Sequence, residues 1–534
     1  MSHQWTNLAQ IGFCTPAHHH YPASTMEVQQ AIAFVRACKG KCRVAGAGKS
    51  PNSSTFTSEH LIHMNRMNRI LSIDADTCTL TCEAGALMED VMNVLDKEGL
   101  MLRCVPSYVR TTVGGCIATA THSSGITCHS LSDYVRELKV VDGRGEVKTL
   151  GPAAGKELRL AACHLGALGV VTEIKLEVQP RVQWRLENNP LSMADANDAA
   201  LVARKVRENE YYRWWWVPHT DGCYESYGNA HCEAAGSLAA PKVNKKELEM
   251  KADPKARVTP KRPLPDGEPP KNGGLGAQYP DETKPGSVAV EASAAAAPVD
   301  RSNAQSNCHN GFAVGAAPVM SALTNWISNE LIRHQLVEWS LWVACRFPSL
   351  QPHINRAYQR MFYTTPAVLR GSALHCFTFD CLFRQWANEW AIDASRAVEA
   401  FQKIRSMIDR EQMLLHFPVE FRFSAADDSD MSPAFGRKTC WIGVVMYRPR
   451  GQEARDTRRA YDGFNKLMEE MQGRPHWAKY YNWGHREVSA AYGNGWDRFL
   501  ELRRKMDPDD MFLNAWLSNL MSPDRVNSTD FKGK

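Results

Sequence analysis

Apolar residues recur at helical spacing from Glu27 to Cys38, where Val28, Ala31, Ile32 and Val35 share one face, and the spacing predicts a helix. Cys42 to Ala45 reads as a short strand running into a glycine loop. From Thr77 to Glu83 the chain alternates, with Cys78, Leu80 and Cys82 on one face and Thr77, Thr79 and Thr81 on the other. Gly85 breaks that strand, and Leu87, Val91, Val94 and Leu95 give the next helix its apolar stripe. A strand from Leu100 to Val105 stops at Pro106. Residues 25 to 180 therefore read as α+β with many short strands. Further on, helical stretches at Met320 to Val343, Ala394 to Asp409 and Arg455 to Met471 alternate with strands at Leu414 to Ser424 and Cys440 to Arg448. That is a second α+β unit.

Between the two units, from about Ala239 to Asn310, the chain turns to Pro, Ala, Gly, Lys and Ser. Such a segment cannot bury enough apolar surface to offset chain entropy, which predicts a disordered insert at a loop tip, with a docking arm as the alternative. The whole chain has 534 residues, of which 44% are apolar and 23% charged, the composition of a folded protein of about three units. A net charge of +5 spread over that length excludes a polyanion-binding tail, so nucleic acid is not an expected partner. Sixteen cysteines occur with no Cys-x-x-Cys pair, which points to reduced thiols and no metal site. The beginning, Met-Ser-His-Gln-Trp, has no basic patch followed by an apolar run, and no uncharged apolar stretch reaches ~18 residues. An intracellular protein, in the cytosol or an organelle, is expected, without a transmembrane segment.

Candidate chemistry clusters in a few places. The loop Val44-Ala-Gly-Ala-Gly-Lys-Ser-Pro51 follows a strand and presents backbone N–H groups suited to phosphate oxygens. It is not a Walker loop, which needs glycine where Arg43 stands, nor a dinucleotide fingerprint, which needs glycine or alanine where Pro51 stands. Alone, Gly46-x-Gly48 is equally an ordinary tight turn. A second run, Thr112-Val-Gly-Gly-Cys-Ile-Ala-Thr-Ala-Thr-His-Ser-Ser-Gly125, is made of small and hydroxyl side chains that let a flat ligand lie on the backbone. In Phe417-Pro-Val-Glu-Phe-Arg-Phe423 the period of two puts Phe417, Val419, Phe421 and Phe423 on one face, and Glu420 and Arg422 on the other. By itself this is a half-buried strand with an exposed charge pair. His18, His19 and His20 are expected in a loop before Pro22 rather than at a metal.

Taken in order, these pieces resemble the aldonolactone oxidoreductases of the vanillyl-alcohol oxidase type, flavoenzymes that make ascorbate and its relatives. Ala45-Gly-Ala-Gly-Lys-Ser-Pro51 is similar to that family's pyrophosphate loop. Pro106-Ser107 and Val113-Gly-Gly to Thr121-His-Ser-Ser-Gly125 are similar to its isoalloxazine-binding stretch. Leu165 to Glu173, Tyr212 to Thr220, Glu420-Phe-Arg422, His476-Trp-Ala-Lys479 and Arg504 to Asn514 resemble further landmarks, covering nearly the whole chain except the insert.

The resemblance implies a two-domain flavoprotein: an FAD-binding domain over residues 1–180, and a substrate (cap) domain over 181–534 that contains the insert and returns to the flavin over 475–534. It implies flavin contacts from Gly46, Ala47, Gly48, Lys49, Ser50, Pro51, Pro106, Ser107, Gly114, Gly115, Thr119, Thr121, His122, Gly125, Val170, Val171 and His476. Many members have histidine at the position of Lys49 and attach the flavin through it. Lysine offers no such linkage, so non-covalent FAD, in preference to FMN, is expected. Arg422 and Lys479 become the cations that stabilise negative charge on the reduced ring, and Glu420 the carboxylate that orients substrate hydroxyls. The implied reaction is oxidation of the C2 hydroxyl of L-galactono- or D-arabinono-1,4-lactone, with oxygen or cytochrome c as acceptor. Pro106 stands where members that exclude oxygen tend to have alanine, which inclines the expectation toward oxygen. An alditol or carbohydrate oxidase of the same superfamily, or a flavin-binding scaffold acting through the proline-rich arm, is the alternative.

Overall fold

The N-terminal histidines form a strand because a parallel partner is waiting for them. In the computed structural model, which describes residues 4–231, 333–379 and 383–523, His18–His20 (β1), Cys42–Ala45 (β2) and His60–His63 (β3) make a parallel sheet of order β1-β3-β2. This corrects the expected loop. The rings interlock across the pairing, His19 Nδ1 lying 2.9 Å from His63 Nε2 and His20 Nε2 3.1 Å from His60 Nδ1. Between β1 and β2 runs helix α1, Thr25–Ala37, capped by Ser24, whose hydroxyl accepts from the Glu27 N–H at 3.2 Å. Its buried face is Val28, Ala31, Ile32 and Val35, as the periodicity predicts.

A six-stranded antiparallel sheet follows, built from Ile70–Asp74 (β4), Thr79–Glu83 (β5), Leu100–Leu102 (β6), Val135–Val141 (β7), Val147–Leu150 (β8) and Val170–Pro180 (β9). The order is β8-β7-β9-β5-β4, with β6 also on β9. β5 starts at Thr79 because Cys78 turns the chain with φ +47°, so the sequence alternation overran the strand by two residues. β6 likewise ends three residues before Val105. The helix after Gly85 is α2, Met88–Lys97, and the glycine-rich run forms α3, Val113–Ala118.

Apart from a two-stranded antiparallel pair, Trp5–Thr6 with Phe13–Cys14, the remaining strands make one eight-stranded antiparallel sheet: Gln183–Leu191 (β10), Tyr211–Trp216 (β11), Cys223–His231 (β12), Ala367–Gly371 (β13), Gln385–Asp393 (β14), Val419–Ser424 (β15), Thr439–Tyr447 (β16) and Arg474–Pro475 (β17), in the order β13-β10-β12-β11-β15-β16-β14-β17. Helices α4, Ala397–Glu411, and α5, Thr457–Glu470, match the two later helical stretches read from sequence. The third lies only partly among the described residues, as a helix over Arg333–Arg346, and the expected insert at 239–310 lies outside them.

Aromatic packing decides which way the large sheet faces. Trp214 of β11 stacks on Phe421 of β15 at 4.0 Å, and Phe401 of α4 meets Trp214 edge-on at 4.9 Å. Each such pair contributes about 0.5–1.5 kcal/mol beyond its buried area. Val419, Phe421 and Phe423 are therefore committed to the core, and strand alternation sends Glu420, Arg422 and Ser424 to the opposite face. That face meets the 121–130 loop: the Gly125 N–H donates to the Phe423 carbonyl at 2.6 Å, and the Ser124 hydroxyl donates to the Tyr212 carbonyl.

Candidate active site

Arg422 is the centre of the polar face and is 9% exposed, so the expected surface charge pair is in fact a buried ion network. Its guanidinium divides its nitrogens among three partners. Nη1 donates to Ser107 Oγ at 3.1 Å, Nη2 donates to Glu389 Oε1 at 2.7 Å, and Nε lies 3.6 Å from Glu420 Oε2. Glu420 is also paired with Arg213 Nη1 at 3.5 Å, and Lys479 Nζ stands 3.8 Å from Glu389 Oε2. Three cations, Arg213, Arg422 and Lys479, thus face two carboxylates, Glu389 and Glu420, and one positive charge is in surplus.

Strand register accounts for this convergence. Arg422 is opposite Arg213 on β11 and Trp441 on β16, while Gly443 of β16 is opposite both Glu420 and Glu389. His122, brought in by the glycine-rich stretch, stacks on Trp441 with centroids 3.8 Å apart and planes 7° apart. Its Nδ1 donates to the Ser123 carbonyl at 2.9 Å, and its Nε2 lies 3.2 Å from Glu389 Oε1 and 3.4 Å from Arg422 Nη2. His476 packs beside the pair at 5.6 Å from each ring.

Burial and these charges set the protonation states. Burial alone raises the Glu389 carboxyl, but the positive charges of Arg422 and its neighbours outweigh it and hold the group well below the usual carboxylate range. Burial, aided by Arg422, lowers His122, and burial lowers His476 further, so both imidazoles are neutral at pH 7. Burial pushes the Tyr211 hydroxyl up to about 12. His122, Glu389 and His476 place three potential metal ligands within 4.8 Å of one another. The guanidinium already 2.7 Å from that carboxylate opposes a second cation there.

The other residues expected at a flavin lie in the turn after β2, along and after α3, beside Ser107 and at the start of β9. Gly46, Ala47, Gly48, Lys49, Ser50 and Pro51 form the turn after β2, packed against the start of α3: a Cβ on Gly46 would stand 2.2 Å from Thr112 Oγ1. Gly114 and Gly115 open α3, Thr119 closes it, and Thr121 leads into His122 and Gly125. The next residue after the turn, Asn52, donates to the carbonyl of Trp477 at 2.7 Å, tying the loop to the His476–Lys479 segment. Pro106 is buried next to Ser107. Val170 and Val171 are buried where β9 begins, paired with Val141 and Val140. Arg43 gathers two further landmarks, donating to the carbonyls of Gly166 at 2.8 Å and Phe512 at 2.7 Å.

These residues fit a bound FAD on two observations. The backbone N–H groups of Ala47, Gly48, Lys49 and Ser50 donate to no acceptor among the described residues, and so offer a row of donors suited to a pyrophosphate. The Nε atoms of Arg422 and Arg213 are buried and likewise lack a hydrogen-bond acceptor among the described residues, which suits a ring or substrate rich in carbonyl and hydroxyl oxygens.

Glu389, Arg213 and Trp441 escaped the sequence reading. Arg213 sits in the aromatic run Tyr211-Tyr-Arg-Trp-Trp-Trp216, with its guanidinium 4.5 Å from the Trp215 ring, and reads locally as a surface arginine. Glu389 had a usable signal: in Gln385-Trp-Ala-Asn-Glu-Trp-Ala-Ile-Asp393 it shares the small-residue face with Ala387 and Ala391, opposite a face of Trp386, Trp390 and Ile392.

A family model described as FAD binding domain matches residues 16–151, and one described as D-arabinono-1,4-lactone oxidase matches residues 297–520. The L-gulonolactone oxidase of Scyliorhinus torazame is 26% identical over 520 residues, covering 97% of this chain and 98% of the relative. The L-gulono-1,4-lactone dehydrogenase of Mycobacterium tuberculosis is 25% identical over 523 residues, covering 98% and 100%. Cholesterol oxidase from B. sterolicum is similar in structure, with a TM-score of 0.65 at 14% identity over 98% of this chain and 97% of that one, a likeness of fold alone. With two family models matched in chain order and lactone oxidoreductases aligned over nearly its whole length, the chain is an FAD-dependent oxidoreductase on the vanillyl-alcohol oxidase fold, similar to the aldonolactone oxidoreductases.

Proposed function

We propose that this protein oxidises the C2 hydroxyl of an aldono-1,4-lactone, L-galactono- or D-arabinono-1,4-lactone, to ascorbate or its five-carbon analogue. The observation that carries this reading is the buried, three-way-held guanidinium of Arg422 beside Ser107, on the face of the sheet that meets the FAD-binding domain. Residues 1–180 serve as the FAD-binding domain and 181–534 as the substrate domain. Residues Gly46 to Ser50 hold the pyrophosphate. Bound FAD supplies a hydride acceptor for the carbinol carbon. Arg422 and Lys479 provide fixed positive charge where negative charge develops, in a site whose low dielectric strengthens the effect. Ser107 Oγ accepts from Arg422, which leaves its O–H to donate to substrate or ring. Glu420, held between two arginines, accepts from lactone hydroxyls and fixes which carbon is presented. The named relatives include an oxidase and a dehydrogenase, so the acceptor is oxygen or a one-electron carrier such as cytochrome c, and Pro106 favours oxygen.

The test is anaerobic mixing of purified yellow protein with L-galactono-, L-gulono- and D-arabinono-1,4-lactones and with open-chain alditols. Lactones should bleach the visible flavin band and alditols should not. Bleaching by alditols alone would make the protein an alditol oxidase, and colourless protein that cannot be reconstituted with FAD would remove the reading. Mixing the reduced protein with air or with cytochrome c then identifies the acceptor.

A further inference from the structure

One charge in the network has no task in the reaction as described. Glu389 lies on β14, where alternation turns Asn388 and Trp390 toward α5, both donating to Asn465 Oδ1 at 2.7 and 3.0 Å. Ala387, Glu389 and Ala391 face the site. Arg422 belongs to β15, two strands away, with β16 between them. The guanidinium nevertheless reaches Glu389 because β16 presents Gly443 opposite both Glu389 and Glu420, with no side chain in the way.

The same stretch of β14 also fixes the segment that carries Lys479. The Glu389 carbonyl accepts from the His476 N–H at 2.9 Å, and the Ala387 carbonyl accepts from the Tyr480 N–H at 3.0 Å. Lys479 is thereby brought to 3.8 Å from the second carboxylate oxygen. A carboxylate that is 4% exposed is costly unless paired, and its two cationic partners are the ones with which the reaction is concerned. A guanidinium held by one partner still rotates about that bond. Hydrogen bonds at Nη1 and Nη2, with the Glu420 carboxylate 3.6 Å from Nε, fix its plane as well as its position.

We propose that Glu389 is a positioning residue, whose carboxylate locks the Arg422 guanidinium between Ser107 and Glu420 and draws the Lys479 ammonium to the same point, leaving the site with a surplus of one positive charge. This rests on the functional reading above, because it is the lactone reaction that the two cations serve.

The experiment is a double-mutant cycle of Glu389→Gln and Arg422→Ala on the FAD-loaded full chain, read by steady-state kinetics and by the flavin midpoint potential. Glu389→Gln alone should lower kcat by roughly thirtyfold or more while KM stays within about threefold, the split expected when a transition-state contact is misplaced. In the Arg422→Ala background the same change should cost less than about threefold, because the residue it positions is gone. The potential shift caused by Glu389→Gln should shrink by more than half in that background. Equal effects in both backgrounds, on rate and on potential, would overturn the proposal and leave Glu389 a structural ion. If Glu389→Gln does not retain FAD, Glu389→Asp, which keeps the charge and shortens its reach by one methylene, enters the same cycle. A parent protein inert toward every lactone would fail the functional reading, and the positioning role would then stand or fall on the potential cycle.

Discussion

Replacing Arg422 by alanine is the sharpest perturbation the site offers. It removes a hydrogen bond of 3.1 Å to Ser107, a charged one of 2.7 Å to Glu389 and the 3.6 Å approach to Glu420. Three cations against two carboxylates become two against two, and the surplus positive charge is gone. Losing one fixed donor at developing negative charge costs ~2.7–4 kcal/mol of barrier, a factor of about a hundred to a thousand in turnover. Stability should fall too, since breaking a buried ion pair by removing one partner costs about 3–5 kcal/mol. Lys479 remains 3.8 Å from Glu389 and supplies part of the lost compensation, which places the expected loss at the lower end of that range. The assay pairs single-turnover flavin bleaching by lactone under nitrogen with urea unfolding. Guanidinium ion added to the variant should restore part of the rate, because the truncated side chain leaves room for it between the same carboxylates. A variant that bleaches within threefold of the parent, or one that guanidinium does not help although it is folded and yellow, would refute the assignment of Arg422.

Three further outcomes follow from the structure. Because Lys49 stands where a linking histidine would be needed, acid precipitation should leave the yellow colour in the supernatant, and colour retained in the pellet would show a covalent bond. Gly46→Ala places a methyl 2.2 Å from Thr112 Oγ1, which caps α3, so FAD release followed by fluorescence should show affinity weakened by about tenfold or more, and unchanged affinity would move the pyrophosphate elsewhere. Burial lowers His20, His63, His164 and His416 to about 4, so the unfolded chain binds more protons than the folded one between that value and 6.5. Their contribution to stability is full above 6.5 and lost as pH falls toward 4. Asp133, which burial and the Asp427 charge raise to about 7, acts in the opposite sense, as do Asp462, Glu469 and Asp507, which burial raises, but burial also lowers His60, His122, His219 and His476, so among the described residues the lowered imidazoles outnumber the raised carboxyls. The melting temperature should therefore drop on acidification from pH 6.5 to 4, and a flat profile would contradict it.

Much of the architecture was legible locally. The apolar faces of α1 and α2, the turn of small residues after β2 and the alternation of Val419, Phe421 and Phe423 are near-neighbour properties, written in periods of 3.6 and 2. The order of the glycine-rich stretches, the Glu420-Phe-Arg422 strand and the His476–Lys479 segment was sufficient to name the family. Boundaries shifted where a single residue overrode the period, as Cys78 did at φ +47°, and where a partner strand existed that the tract itself did not announce, as for His18–His20.

What the tertiary structure alone decided is which charges are buried and with whom. Arg422 on its strand is compatible with a solvated surface pair. It becomes a buried centre only because β11 brings Arg213, β14 brings Glu389, and a loop some three hundred residues earlier brings Ser107 and His122. Burial and ion pairing depend on strand order and register across the whole sheet, through contacts between residues far apart in the chain. A local pattern of apolar and polar positions carries no term for them, whereas the energy of a desolvated charge is set almost wholly by them.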